Sequence, residues 1–308
     1  MSDGAGYDRD PNCIVCRCSV EEYLDRGETF RGADLVIHAG SPVGPVRLLP
    51  QAGRLGAGMV QAAHAVIEEC LDHDIPLCSF SSAEVYNRAG HLAEDDDIRV
   101  PPRYNARIEY AIAKTLIEAM TVNSRRQHGL KAIVIRPFNV GGPRQSRTGG
   151  FVIPTFVQQA LSGEPLTVFG DGQQVRSFLA VSDLCRFLIE FSAASFEKVD
   201  RVIYNLGNPA NTITVRDLAL LVKELTDSPS EIVHVDGREI HGPLYAEAES
   251  VEKVPVLGGA AALGWQPRVG LRELILETIS YYRTTTDWKH ACRSDRKTEA
   301  SPGCRSAR

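Results

Sequence analysis

Short apolar runs recur through the first half of the chain, separated by longer stretches with helical spacing. DLVIHAG (34–40) is an apolar run closing on small residues, which predicts a buried parallel strand. Over 54–73, Leu55, Met59, Ala62, Ala63, Val66, Ile67 and Cys70 recur at helical intervals. IPLCSFSS (75–82) predicts the next strand and runs into the loop SSAEVYN, a helix follows from about 105 to 128, and KAIVIRPFNV (131–140) predicts a third strand. Strands and helices alternating at these lengths predict a parallel sheet with crossover helices, a doubly wound α/β architecture.

The grammar changes after Gly141. Gly and Pro punctuate GGPRQSRTGG, a helix is expected over about 151–162, and LTVFGDGQQVRSFLAV reads as strand–turn–strand. VSDLCRFLIEFSAA predicts a helix and RVIYNLGN a strand. Leu218, Leu221, Val222 and Leu225 line one face of a helix over 215–226, and 271–283 predict a last helix. Residues 284–308 hold six Lys or Arg against three acids without periodicity, so a disordered tail is expected there.

The 308 residues are 43% hydrophobic and 24% charged, the balance of a globular protein. No apolar stretch reaches the roughly 20 residues that span a bilayer, and MSDGAGYDRD lacks the features of a secretory signal. The expectation is therefore a cytoplasmic protein with no membrane partner. A net charge of -5 argues against a nucleic-acid partner, whose phosphates meet basic faces. Eight cysteines stand at 13, 16, 18, 70, 78, 185, 292 and 304, and are expected as free thiols. Cys13 and Cys16 form a CxxC, but no second pair completes the four ligands of a structural zinc site. No metal is expected, and NCIVCRCSV (12–20) reads as a Cys-rich strand.

Six ordered islands carry a resemblance. They are SSAEVY (81–86), YAIAK (110–114), RPFNVGGPRQ (136–145), LTVFGDGQQVRSFLAVSDL (166–184), NLGNPANTITVRDLA (205–219) and ALGWQPRVGLRELILETISYYR (262–283). Together they resemble the extended short-chain dehydrogenase/reductases, the NAD-dependent epimerase/dehydratase family of nucleotide-sugar enzymes, closest in pattern to UDP-glucuronate decarboxylases. The resemblance implies a truncated NAD-binding Rossmann-like domain over 1–165. It also implies a smaller C-terminal α/β substrate domain over 166–283, with the chain crossing back to the sheet.

Tyr110 and Lys114, four apart, share a helical face. A nearby ammonium favours a phenolate, so the pair suits proton removal from a sugar hydroxyl while NAD takes the hydride. The resemblance implies that Tyr110 is this base, that Lys114 also holds the nicotinamide ribose, and that Ser82 is a second donor to the same oxygen. It implies cofactor contacts at His38, Ala39, Gly40 and Pro137 besides these two. Substrate contacts are implied at Asn139, Arg176, Val168 and Lys253. Ala83 stands where a dehydratase would carry its Asp, so 4,6-dehydration is not expected. Glu84 matches the decarboxylase and dehydratase pattern, as a base or as a holder of a substrate carboxylate; a loop carboxylate bonded to backbone amides is the plainer alternative. Lys253 aligns with a decarboxylase arginine that donates a proton, but lacks its planar fork.

The expected reaction is NAD-dependent conversion of a UDP- or dTDP-sugar through a 4-keto intermediate. Decarboxylation of a UDP-hexuronate is favoured over 4-epimerisation, and a non-catalytic nucleotide-sugar-binding subunit is the alternative of another class. A homodimer through helices 54–73 and 105–128 is implied as well. The family normally opens with a strand, GxxGxxG and a helix, whose amides bind the pyrophosphate. No GxxGxxG occurs in these 308 residues, and NCIVCRCSV looks like the family's third strand. The first βα unit is thus expected to be missing, through a truncated gene product or through a variant that has lost tight dinucleotide binding.

Overall fold

A computed structural model describes residues 10–102, 104–146, 149–192, 201–242, 245 and 252–285. The expected tail over 284–308 lies outside them beyond Thr285. In chain order the elements begin with α1 (Val20–Asp25), β1 (Val36–His38), α2 (Pro45–Leu48), α3 (Leu55–Asp72) and β2 (Leu77–Phe80). A one-turn helix, Ala83–Tyr86, precedes β3 (Gly90–Leu92), α4 (Ala106–His128), β4 (Ala132–Pro137), β5 (Val140–Gly141) and α5 (Val152–Ser162). Then come β6 (Leu166–Phe169), β7 (Val175–Ser177), β8 (Leu179–Ala180), α6 (Val181–Ser192), β9 (Ile203–Leu206) and β10 (Thr212–Thr214). The last are α7 (Val215–Thr226), β11 (Ile232–Val235), α8 (Gly237–His241), β12 (Lys253–Pro255), α9 (Gly258–Ala262) and α10 (Leu271–Thr284).

The main sheet runs β1-β2-β4-β9, every pair parallel, so the fold is the doubly wound α/β arrangement that the apolar runs predict. Its central strand β4 buries Ala132, Ile133, Val134 and Ile135 completely, as a strand covered on both faces must. On one side Val66, Ile67 and Cys70 of α3 pack against Leu77 and Ala132. On the other, Phe187 and Phe191 of α6 meet Ile133, Tyr204 and Trp265. The chain thus returns to the sheet after α5–β8, through α6 and β9. A second core gathers α5, β6, α7 and α10 around Phe156, Leu166, Val168, Leu218 and Ile279. At the outer edge of β1 no strand pairs among the described residues.

One sequence expectation needs correction. Residues 12–18 form no strand: the segment is turn and coil, with Ile14 92% exposed. An apolar, Cys-rich run alone makes no strand without a neighbour to take up its backbone hydrogen bonds. The regular structure begins instead at Ser19, whose hydroxyl caps Glu22 while the Glu22 carboxylate accepts from the Ser19 amide, a reciprocal capping box. LTVFGDGQQVRSF forms strand, turn and strand as expected, and its two strands enter different sheets. β6 pairs in parallel with β11, whereas β7 pairs with β10 and β12.

Candidate active site

The carboxyl ends of β1, β2 and β4 open into a cavity of about 2350 Å³, lined also by β6, β7 and the loops after β1 and β5. This is where open α/β sheets bind ligands. Its outer wall depends on two glycines: a Cβ on Gly44 (φ 92°) would lie 2.1 Å from the Gly149 carbonyl oxygen. That close approach joins the loop after β1 to the loop before α5, and Arg47 Nη2 donates to Ser146 Oγ across the same seam at 3.0 Å.

Asn105 starts α4, its side chain accepting from the Ile108 amide at 3.0 Å. From that start Arg107, Tyr110 and Lys114 follow on one helical face and all line the cavity. Tyr110 is buried, with side-chain hydrogen bonds to Ser82 and Ser41. Ser82 caps the one-turn helix, accepting from the Glu84 amide at 3.2 Å. Lys114 Nζ donates to the Phe80 carbonyl at 2.6 Å and lies 5.8 Å from the Tyr110 ring centroid. Burial pulls Lys114 down to about 8, against the Glu118 charge, which pushes it up.

The expected lowering of the Tyr110 pKa by Lys114 is not found. Burial pushes the phenol up to about 12; the Ser82 and Ser41 bonds pull it down and the Glu84 charge pushes it up. Desolvation of a phenolate outweighs an ammonium that already serves a backbone carbonyl.

Glu84 is not held by backbone amides. Its carboxylate accepts from Arg107 Nε and, at 2.8 Å, from Lys253 Nζ. Burial alone would oppose its ionisation, but the Lys253 and Arg107 charges hold it well below the usual carboxylate range. Lys253 is buried and pulled down to about 8, with Glu84 pushing the other way. Its register partner on β7 is Arg176, which lines the cavity; burial first, then the Arg107 charge, lowers that guanidinium. Three cations therefore surround one carboxylate beside the Tyr110 phenol.

Ala39, Pro137 and Asn139 line the cavity as well, and Asn139 donates to the Ser177 carbonyl at 3.0 Å. His38 and Gly40 do not line it. The His38 ring is buried under Gly40, with Nε2 lacking a hydrogen-bond partner among the described residues. Val168 is a correction: it is fully buried in the second core, while its neighbours Thr167 and Phe169 face the cavity. The period of two along β6 turns alternate residues to opposite faces. Sequence reasoning also missed Ser41 and Arg107. Arg107 lies three residues before Tyr110 on a helix, and that spacing was a usable signal. Cys13, Cys16 and Cys18 are free thiols, and no three His, Cys, Asp or Glu are grouped to hold a metal among the described residues.

For NAD, the fit is at the nicotinamide end. Lys114, Tyr110 and the Ser81 hydroxyl, buried with no hydrogen-bond partner among the described residues, converge where β2 ends in the cavity.

Residues 4–207 match the model of the NAD dependent epimerase/dehydratase family. The chain is 30% identical over 275 residues to a UDP-N-acetyl-alpha-D-glucosaminuronate decarboxylase of Bacillus cytotoxicus, covering 88% of this chain and 84% of that one. It is 27% identical over 255 residues to UDP-D-apiose/UDP-D-xylose synthase 2 of Arabidopsis thaliana, covering 71% of this chain and 65% of the synthase. Among solved structures, the UDP-glucose 4-epimerase of Thermotoga maritima with UDP-glucose aligns over 92% of this chain and 88% of its own. The TM-score is 0.78 at 24% identity, a likeness of fold. A chain with this sheet, this Tyr110–Lys114 helix and these matches belongs to the NAD dependent epimerase/dehydratase family.

Proposed function

We propose that the chain decarboxylates a UDP-linked hexuronate through a 4-keto intermediate, using NAD. The observation that carries this reading is the cluster of Arg107, Arg176 and Lys253 around Glu84, which leaves excess positive charge beside Tyr110. Such a site suits a sugar that bears its own carboxylate. NAD, when bound, would supply the hydride acceptor for the sugar's C4.

The rest falls to the chain's own residues. Tyr110 takes the C4 hydroxyl proton, with Ser82 donating to the same oxygen and Lys114 holding the nicotinamide ribose. Once C4 is a ketone, the carboxylate on C5 leaves as carbon dioxide and its bonding pair passes into the ketone as an enolate. The carbon then takes its proton from the Lys253–Glu84 pair, whose Glu84 carboxylate lines the cavity while Lys253 Nζ lies behind it, donating to Glu84 at 2.8 Å. Asn139 and Arg176 hold the diphosphate, with Thr167 and Phe169 in the place expected of Val168. Glu84 stays ionised and orients Lys253 and Arg107. The active form is a homodimer through α3 and α4.

Tyr110→Phe tests the reading. With UDP-glucuronate and added NAD, kcat is expected to fall about 10²–10⁴-fold while nucleotide-sugar affinity stays nearly unchanged. Near-wild-type turnover would overturn the assignment. Glu84→Gln separates decarboxylation from 4-epimerisation, because only the decarboxylase should lose most of its activity. A second reading, a non-catalytic nucleotide-sugar-binding subunit, rests on the lack of GxxGxxG in these 308 residues. Carbon dioxide release with NAD would exclude it.

A further inference from the structure

One turn beyond Lys114 on the same face of α4, Glu118 meets Arg136 of β4. Arg136 Nε and Nη2 donate to the two carboxylate oxygens at 2.8 and 2.6 Å, and both side chains are buried. Arg136 Nη1 donates to the Tyr86 hydroxyl at 2.9 Å and to the Glu94 carbonyl at 3.2 Å. The guanidinium lies 4.8 Å from the Tyr86 ring centroid. Tyr86 in turn donates to Asn205 Oδ1 of β9 at 2.8 Å, and the Asn205 amide donates to the carbonyls of Leu92 and Val256.

A buried ion pair is weak evidence of stabilisation, since apolar side chains of similar volume often serve as well. The geometry gives this one another use. It joins two elements that carry reacting groups: α4 bears Arg107, Tyr110 and Lys114, and the 83–86 turn is capped by Ser82, bears Glu84 and ends in Tyr86. A bidentate fork at one end and a phenol at the other fix distance and rotation together. We propose that Glu118, Arg136 and Tyr86 are positioning residues that lock the 83–86 turn against α4, so that Ser82 meets the Tyr110 phenol and Glu84 meets Arg107. This rests on the reading of Tyr110, Lys114, Ser82 and Glu84 as the reaction centre.

The charge of Glu118 also reaches Lys114. The groups facing Lys114 are Glu118 and Tyr110 on its own helix, His38 from β1 and the Phe80 carbonyl from β2. Glu118 is the one that favours the ammonium by charge, so its neutralisation should let the lysine titrate lower.

The test uses the full chain as Glu118→Gln, Arg136→Lys, Tyr86→Phe and, as the conservative rescue, Glu118→Asp. UDP affinity, kcat and KM for UDP-glucuronate with NAD, and the NMR titration of the Lys114 ε-carbon (assigned with Lys114→Arg) are measured for each. A misplacement on the order of 1 Å costs about 10²-fold in rate. Expected are a kcat 10- to 100-fold lower in Glu118→Gln and Arg136→Lys by that measure, with KM and UDP affinity within about twofold. The Lys114 midpoint should fall in Glu118→Gln and recover in Glu118→Asp. Variants that fold and bind normally with unchanged kcat overturn the proposal. If the wild type shows no turnover, the reaction reading fails, and the Lys114 titration decides: an unchanged midpoint in Glu118→Gln then overturns the positioning claim too. Should both charge variants fail to fold, Tyr86→Phe, which loses one hydroxyl, carries the test by the same kcat or, without turnover, by the amide resonances of the 83–86 turn; unchanged values overturn the proposal.

Discussion

At the residue scale, burial decides several groups that sequence treats alike. His38 is pulled down to about 4, first by burial and then by the Lys114 charge, although the Gly40 backbone beside it pushes the other way. Between about 4 and the ordinary 6.5, the unfolded chain binds a proton that the folded chain refuses. Stability should therefore fall as pH drops from 6.5 to 4, by up to about 3 kcal/mol at about 1.4 kcal/mol per unit. Urea unfolding of the wild type and His38→Gln at several pH values measures this; parallel slopes would refute it. Val168 and Phe169 make a second contrast. Val168→Ala should cost on the order of 2 kcal/mol through lost burial and a residual cavity, leaving nucleotide-sugar affinity intact. Phe169→Ala should do the reverse, and calorimetry beside thermal melts separates the two.

At the scale of elements, α4 is the part on which the candidate site depends. Its cap at Asn105 is two residues from Arg107 and five from Tyr110, so a frayed first turn would blur both. Asn105→Ala is expected to cost about 1 kcal/mol, read as a lower melting temperature, and to reduce kcat more than nucleotide-sugar affinity. Equal losses in the two would place the cap's role in folding alone. The helix itself was legible in the sequence, because its apolar positions recur at the right interval and Gly129, at φ 76°, closes it. The 12–18 segment shows the opposite. Its apolar, Cys-rich run reads as a strand, yet pairing, which no local pattern guarantees, is missing there.

At the scale of the whole molecule, the exposed faces of α3 and α4 form an apolar groove lined by Leu49, Ala57, Val60, Ile112, Ala113 and Leu116. Leu116 is 48% exposed in the middle of it. An isologous contact there would bury both copies of the groove. Light scattering should find a dimer at micromolar concentration, and Leu116→Asp should shift it to monomer without unfolding. A wild type that stays monomeric would remove the dimer from the proposal.

Local pattern determined most of the elements. The apolar runs at 34–40, 75–82 and 131–140 give parallel strands, the helical stripes at 54–73 and 105–128 give the helices that cover them, and YAIAK sets Tyr110 one turn before Lys114. Such features depend on residues within a few positions of one another. Which elements would meet depended on contacts across more than a hundred residues, and tertiary structure alone decided it. Lys253 joins Glu84 because β12 lies beside β3, and Arg176 stands next to Lys253 because β7 leaves β6 for another sheet. Burial pushes the Tyr110 phenol up because folding takes water from it, and no spacing in the chain encodes that desolvation.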